Sequence, residues 1–278
     1  MSLRTVLSFA VAGAAGIAGC ALHDWDGYAS GVATVSGDDA GKMETGTTTP
    51  SDGGDAGDAL DSYGSTVQAD APVAWFRFEE SSGATSITDV AKKYTGTVQT
   101  AAYFGAAGVA GHAVQLDGSG GFDLGDVFDF AGRSSFTLEA WVKTTSTAQA
   151  DQRLMFKRDD TNNTGGYVAY LAGDLTPHFE VAGAALSSWN ETAIPAGKFT
   201  HIVVTVAYVN GTGTATLWAN GQQANKKGYY TMDAIPNTTV PLSLGQSIRG
   251  TLDEVAFYDK ALTDARVLAH YLAGSGGQ

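Results

Sequence analysis

The chain has 278 residues, and its 29 acidic and 16 basic side chains give a formal net charge of −13. This balance excludes a typical duplex nucleic-acid binder, because phosphate contacts need clustered Lys and Arg. The single cysteine excludes an intramolecular disulfide, and the 36 glycines with only 16% charged residues favour a domain of short strands and tight turns.

The N-terminus predicts an exported, lipid-anchored protein. A basic start at residues 1–4 precedes an apolar run at 5–19, which is shorter than the roughly 20 residues that a membrane-spanning helix needs. The run ends in IAGC, with Cys20 last, and it resembles the lipobox of bacterial lipoproteins. The resemblance implies cleavage after residue 19 and lipids on Cys20, which would hold the protein at the bacterial cell envelope, at the outer membrane or cell surface. The alternative is an ordinary secretory signal peptide with a chance cysteine.

Residues 21–71 have the composition of a flexible linker. They carry ten acidic residues and one lysine, with many Gly, Ser and Thr and no helical or strand period. Such a segment cannot bury enough apolar area to offset the entropy lost on ordering. Residues 20–71 are therefore predicted to be the lipidated cysteine followed by a disordered acidic linker. The Asp-Gly repeats lack the ligand pattern and the following helix of an EF-hand calcium loop.

Short runs of alternating apolar and polar residues begin at Pro72 and predict β-strands. In the run FTLEAWVK, Phe136, Leu138 and Val142 share one face, while Trp141 points the other way. Comparable runs predict strands at 73–79, 113–116, 136–143, 153–157, 166–171, 177–181, 201–208, 214–220, 242–244 and 250–258. Many short strands between turn signals favour an all-β sandwich of two antiparallel sheets.

One short helix is predicted after the last strand. Thr263 is a suitable N-cap residue. Gly274 is expected to be the C′ residue, which follows the last helical turn in the left-handed conformation. The folded domain is therefore predicted to cover residues 72–273, with a flexible tail at 274–278.

Several motifs occur in an order that resembles a known family. They are AWFRFEESSGA, GHAVQLDGSGGFDLG, FTLEAWVK, HIVVTVAY with LWANGQ, PLSLGQ and IRGTLDEVAFYDKALTDARV. Together they are similar to bacterial laminin-G-like jelly rolls and to pentraxins. The resemblance covers nearly all of residues 72–272. It implies a concanavalin A-like jelly roll that is commonly a carbohydrate-binding or adhesive module, often calcium-bound and rarely an enzyme by itself.

The resemblance also implies a structural calcium ion. Related domains use an Asp at the position of Asp253 together with an acid near the first strand, here Glu79. Strict alternation conflicts with the apolar pattern near Asp253-Glu254, so we predict a β-bulge there that would expose carbonyl oxygens beside the carboxylate. The chain lacks the acidic loop that follows LGQ in pentraxins, and only Asp159 and Asp160 lie near where the other calcium ligands would be.

Catalysis is not predicted. Glycosidases need two carboxylates that face one sugar, whereas adjacent acids on a strand point to opposite faces. The acids here come as such pairs: Glu79-Glu80, Asp159-Asp160 and Asp253-Glu254. The glycine-rich loop around Ser119 lacks the nucleophile-elbow pattern, and no Ser, His and Asp stand in a recognisable triad order. A glycan-active hydrolase stays an alternative.

Ligand contacts are expected where aromatic rings meet amide or carboxylate groups, because sugar C–H patches stack on rings while hydroxyls need polar partners. Trp189 and the pair Tyr229-Tyr230 lie in predicted loops, where binding residues concentrate. The candidate ligand-binding residues are Trp189, Trp218, Tyr229, Tyr230, Asp159 and Asp160. We therefore predict a cell-surface binding module for a glycan, or an adhesive module, that touches the membrane only through its lipids. The alternative is a structural surface protein that docks other proteins.

Overall fold

The computed structural model describes residues 62–145, 150–162, 164–182, 186–189, 192–224, 231–232 and 234–276, with the backbone alone at 186–189 and 231–232. The predicted lipid-anchor residue Cys20 and the predicted ligand residues Tyr229 and Tyr230 lie outside these ranges. Within the ranges, no helix is long and apolar enough to cross a membrane.

Antiparallel strands dominate the described residues, and every predicted run contains one. In chain order the elements are α1 (Ser62–Ala69), β1 (Ala74–Phe76), β2 (Ser86–Thr88), β3 (Thr95–Val98), β4 (Ala102–Ala107), β5 (His112–Asp117), β6 (Phe122–Asp123), β7 (Phe136–Thr144), β8 (Gln152–Arg158), β9 (Gly166–Leu171), β10 (Pro177–Val181), β11 (Leu186–Trp189), β12 (Thr200–Val209), β13 (Thr212–Ala219), β14 (Gln222–Gln223), β15 (Thr231–Met232), β16 (Ser243–Gln246), β17 (Arg249–Tyr258) and α2 (Asp264–Ser275).

The strands pair into two sheets. The first sheet has the order β14-β13-β12-β7-β17-β5-β4, with β1 added to β17 and β15 added to β13. The second sheet has the order β11-β10-β9-β8-β16-β6-β3-β2. The predicted sandwich of two antiparallel sheets is confirmed, and its main core lies between them.

The central strands of the first sheet are buried on both faces. On β7, Phe136, Leu138 and Val142 face the core as predicted, and Trp141 on the other face is only 1% exposed. That face is covered by α1 and α2. The outer cluster that they form with the sheet consists of Tyr63, Val67, Trp75, Trp141, Val203, Trp218, Ala256, Tyr258, Leu262 and Val267.

The predicted linker ends too late, because α1 belongs to the fold. Tyr63 and Val67 are 2% and 0% exposed, and their i, i+4 spacing puts both on the face that meets the sheet. An isolated helix of this length is marginal in water, so the packing is what stabilises it. The predicted boundary between residues 71 and 72 is therefore wrong.

The helix α2 begins as predicted and ends later. The Thr263 hydroxyl caps its N-terminus by accepting from the Arg266 backbone N–H. Gly274 does not end the helix, which continues to Ser275. Gly274 is buried against the Trp141 ring, and a Cβ there would collide with that ring. The glycine is therefore a packing residue that lets the helix approach the sheet.

The predicted bulge in the last strand is confirmed. The pairing of β17 with β7 shifts register between Asp253 and Ala256, and Glu254 has a φ of 50°. The shift lets Leu252 and Val255 both face the core. β1 pairs with β17, so the first and last strands of the domain lie side by side as expected.

Candidate functional site

One row of side chains crosses four strands of the second sheet. Backbone pairing sets His178 of β10 opposite Tyr170 of β9, Tyr170 opposite Arg153 of β8, and Arg153 opposite Gln246 of β16. All four are half-buried. The neighbours Leu154, Leu171 and Phe179 along β8, β9 and β10 enter the core, which places Arg153, Tyr170 and His178 on the outer face. Gln246 shares that face with Arg153, because its side-chain oxygen accepts a hydrogen bond from Arg153. We call them the cross-strand row, which spans roughly 14 Å at the usual strand spacing.

Contacts within the sheet hold the row in place. The Tyr170 and His178 rings stack with centroids 5.0 Å apart, and the Tyr170 hydroxyl donates to Glu180 Oε1 across 2.6 Å. Arg153 Nη1 donates to Gln246 Oε1 across 2.9 Å. Groups that are fixed before a ligand arrives lose less entropy on binding.

Burial sets the ionisation of the two rings. Burial lowers the pKa of His178, which therefore stays neutral near pH 7 and can both donate and accept. Burial and the hydrogen bond to Glu180 raise the pKa of Tyr170, so its phenol stays protonated.

An ion-pair network flanks the row and contains one of the predicted ligand residues. Arg153 Nη2 and Arg158 Nε each lie 2.7 Å from an Asp160 oxygen. Arg158 also pairs with Glu180. The predicted residue Asp160 is thus placed beside the cross-strand row, between two arginines.

A polar cleft continues the row beyond Gln246. The cleft has a volume of about 290 Å³, and its lining includes Gln99, Ser119, Asp123 and Ser243. Its amides, hydroxyls and carboxylate extend the hydrogen-bonding groups of the row across β6.

The other predicted ligand residues have different positions. Trp189 lies in β11 rather than in a loop, and its backbone pairs with that of His178. Trp218 is 5% exposed within the outer cluster, and its Nε1 donates to Thr205. Because so buried a ring offers no face to a ligand, the predicted ligand role of Trp218 is wrong and its role is packing.

Asp159 closes a turn. Its carboxylate accepts from the Thr161 and Asn162 backbone N–H groups, from the Asn162 amide and from the Thr164 hydroxyl. These bonds lower its pKa, with the Asn162 backbone bond the largest cause. Its oxygens hold the β8–β9 turn, and its predicted ligand role stays a prediction.

Comparison with protein families decides the family. A laminin G model described as the concanavalin A-like lectin/glucanases superfamily matches residues 116–268, more than half of the chain. The chain belongs to the concanavalin A-like lectin/glucanases superfamily. The predicted concanavalin-like fold is therefore confirmed, while a comparison with curated protein sequences finds no match.

Solved structures share this superfamily fold at low identity. Domain 4 of AbnA, an extracellular GH43 arabinanase from Geobacillus stearothermophilus solved with arabinotriose, matches with 18% identity and a TM-score of 0.52, over 72% of this chain and 98% of that domain. The binding domain of Paraclostridial mosquitocidal protein 1 matches with 15% identity and a TM-score of 0.56, over 72% of this chain and 51% of that one. A Trypanosoma rangeli sialidase in complex with sialic acid matches with 16% identity and a TM-score of 0.55, over 73% of this chain and 33% of that one. The chain therefore spans about a third of the length of that enzyme.

The calcium ion that the family resemblance implies at Glu79 and Asp253 stays a prediction. Glu79 accepts from the backbone and the ring of His112, and Asp253 accepts from the backbone of Val109 and Glu254. These hydrogen bonds hold the β4–β5 turn and the bulge, and each carboxylate oxygen keeps a second lone pair that can bind a hard cation. In the described part of the chain, no three His, Cys, Asp or Glu residues are grouped to hold a metal.

Proposed function

We propose that the chain is a carbohydrate-binding or adhesive module whose binding face is the cross-strand row. The observation that carries the proposal is the alignment of a stacked Tyr170–His178 pair with Arg153 and Gln246 across neighbouring strands. Sugar rings need an aromatic surface for their C–H groups and fixed polar partners for their hydroxyls. The row offers both, and the fold neighbour solved with arabinotriose supports the same ligand class.

The shape of the face favours an extended oligosaccharide. The row runs across the strands for roughly 14 Å, and the polar cleft beyond Gln246 lengthens it. An exposed strip of this kind contacts several sugar units in succession, unlike a deep pocket that encloses one.

The proposed role is binding and not catalysis. Two carboxylates flank the row, Asp160 and Glu180, and both are ion-paired with Arg158. An ion-paired carboxylate is a poor general acid, because the paired cation favours its ionised form.

Replacing Tyr170 with Ala should weaken glycan binding about tenfold, because it removes the central ring of the row. The measurement is a glycan array on the full chain, followed by calorimetric titration of the strongest ligand. The matched control is Tyr103→Ala, since Tyr103 is 57% exposed on the first sheet and its loss should leave the affinity unchanged. Equal affinities of the wild type and Tyr170→Ala would contradict the proposal.

We also propose that the module is anchored to the bacterial cell envelope through Cys20. The support is the IAGC sequence at the end of the apolar N-terminal run. In cells fed radiolabelled palmitate, the wild type should carry the label in the membrane fraction, and Cys20→Ser should remain unlabelled. Equal labelling of both proteins would remove the lipid anchor, and it would leave glycan binding unaffected.

A further inference from the structure

A second cleft lies at the edge of the first sheet, with a volume of about 450 Å³. The loop before β12, the β13–β14 turn, β14 and α2 form its walls. We call it the hairpin cleft. The lining residues used below are Thr200, Asn220, Gln222 and Tyr271.

The described lining residues of the hairpin cleft include no ionisable side chain of the kind that pairs with charged ligands. Where the structure describes the lining, it consists of Thr, Asn, Gln, Tyr, Ala, Ile and Pro residues, without any Asp, Glu, Lys, Arg or His. A charged ligand would give up hydration without gaining a counter-ion, which is costly. Amides and hydroxyls instead both donate and accept, which suits a neutral ligand rich in hydroxyl groups.

The aromatic wall of the cleft is rigid. The Tyr271 ring lies at 19° to the Trp141 ring, with centroids 6.1 Å apart, and at 19° to the His201 ring at 6.4 Å. The adjacent residue His270 fixes α2 to the sheet through Glu139. The Tyr271 ring is therefore positioned before any ligand arrives, as an efficient stacking surface requires.

Polar groups of the cleft remain available for a ligand. Thr200 is 1% exposed, and its hydroxyl has no hydrogen-bond partner among the described residues. Buried hydroxyls are almost always paired. The Asn220 side-chain oxygen accepts from the His201 backbone N–H, which orients the amide and leaves its NH₂ group as a donor.

We propose that the hairpin cleft is a second binding site, separate from the cross-strand row, and that it takes a neutral saccharide unit. The cleft differs from the row in charge, because the row is flanked by arginines and carboxylates and the described lining of the cleft has none. The saccharide nature of the ligand rests on the proposed function. The neutrality of the ligand is inferred from the described lining residues.

The experiment uses the full chain with Tyr170→Ala, in which binding at the row is expected to be about tenfold weaker. The probes are maltotriose, cellotriose and arabinotriose as neutral trisaccharides and sialyllactose as a charged one, each titrated by calorimetry. At least one neutral trisaccharide should still bind, and sialyllactose should not. Adding Gln222→Trp, at an exposed position where a large ring would fill the cleft, should weaken the remaining binding by about tenfold or more.

Two further variants define the result. Tyr271→Ala should weaken the same binding, and Leu272→Ala should not, since Leu272 is the neighbouring, 59% exposed residue of α2 outside the cleft. The second site is overturned if Tyr170→Ala alone abolishes all binding, if Gln222→Trp changes nothing, or if sialyllactose binds equally well. The proposed function of the row fails instead if Tyr170→Ala leaves every affinity unchanged while Gln222→Trp abolishes them.

Discussion

Replacing Glu139 with Ala should lower the free energy of unfolding by about 3–5 kcal/mol. Glu139 is 0% exposed on the outer face of β7. Its carboxylate accepts from the hydroxyls of Tyr63 and Tyr258 across 2.9 and 2.8 Å. It also contacts His201 Nε2 at 2.8 Å and His270 Nδ1 at 2.9 Å. One side chain thus joins α1, α2, β7, β12 and β17.

The pKa values of the partners explain the size of the effect. Burial alone would raise the pKa of Glu139, but the charge of His270 and the hydrogen bonds from both histidines hold it well below the usual range. Burial and the Glu139 charge raise the pKa of Tyr63 and Tyr258, so both stay protonated donors. Alanine would leave these donors and a charged imidazole buried without their acceptor, which costs far more than losing a surface contact.

Chemical denaturation of the wild type and the variant at pH 7 measures this loss. The matched control is Glu79→Ala, because Glu79 also pairs with a histidine, His112, but its side chain is 39% exposed. An exposed pair contributes about 0–1 kcal/mol, so the control should lose much less stability. A loss of the same size in both variants would show that the Glu139 network adds no more than a surface pair.

Replacing His270 with Gln should lower the melting temperature at pH 5.5 by at least about 5 °C, and the difference should shrink as the pH rises. His270 Nδ1 faces Glu139 and its Nε2 lies 2.8 Å from Asp70. A histidine that donates to two carboxylates carries both protons. Burial alone would lower the pKa of His270, but Glu139 and Asp70 outweigh burial and raise it.

The direction of the pH effect follows from the two shifted groups. A raised pKa for His270 gives stability that is complete below its unfolded value near 6.5 and is lost as the pH rises through the folded value. The lowered pKa of Glu139 gives stability that is present above its unfolded value and is lost on acidification. The Glu139–His270 pair therefore contributes most to the stability of the fold between roughly pH 4.5 and 6.5.

Melting curves of both proteins from pH 4 to pH 9 test this prediction. Burial and Glu254 raise the pKa of Asp253, which also lowers stability as the pH rises. Both proteins contain Asp253, so only their difference reports on His270. The groups that face His270 are Glu139, Tyr63, Tyr258, Asp70 and, near Asp70, Arg266. A difference that stays constant across the pH range would mean that His270 acts through packing alone.

Local patterns in the sequence were sufficient for much of the fold. Alternation located the long strands and the core face of β7, and the conflict near Asp253-Glu254 located the bulge. Thr263 marked the start of α2. Each of these features depends on residues close together in the chain, where hydrophobic period and capping preferences act directly.

The features that were missed depend on contacts between distant residues. The spacing of Tyr63 and Val67 is the sequence signal for α1. The helix has only eight residues and lies beside an acidic, glycine-rich stretch, so the average composition of residues 21–71 conceals that signal. The cross-strand row depends on pairing register: Arg153 meets Gln246 across 93 positions, and alternation gives the face of a residue without its partner. Tyr170 and His178 lie at outward positions of predicted strands, which is the one signal that could have pointed to them.

The position of α1 determines how the domain would bear a load. Under the proposed anchor, tension from the membrane enters the described fold at Ser62 and not at β1. Arg266 of α2 binds Asp70 and the Thr66 carbonyl, and His270 binds Asp70. These bonds hold α1 against α2, so a pull must first peel α1 from the outer cluster before it strains the β1–β17 pairing. Under the proposed anchor, α1 would therefore detach before a force at the cell surface strains the sandwich.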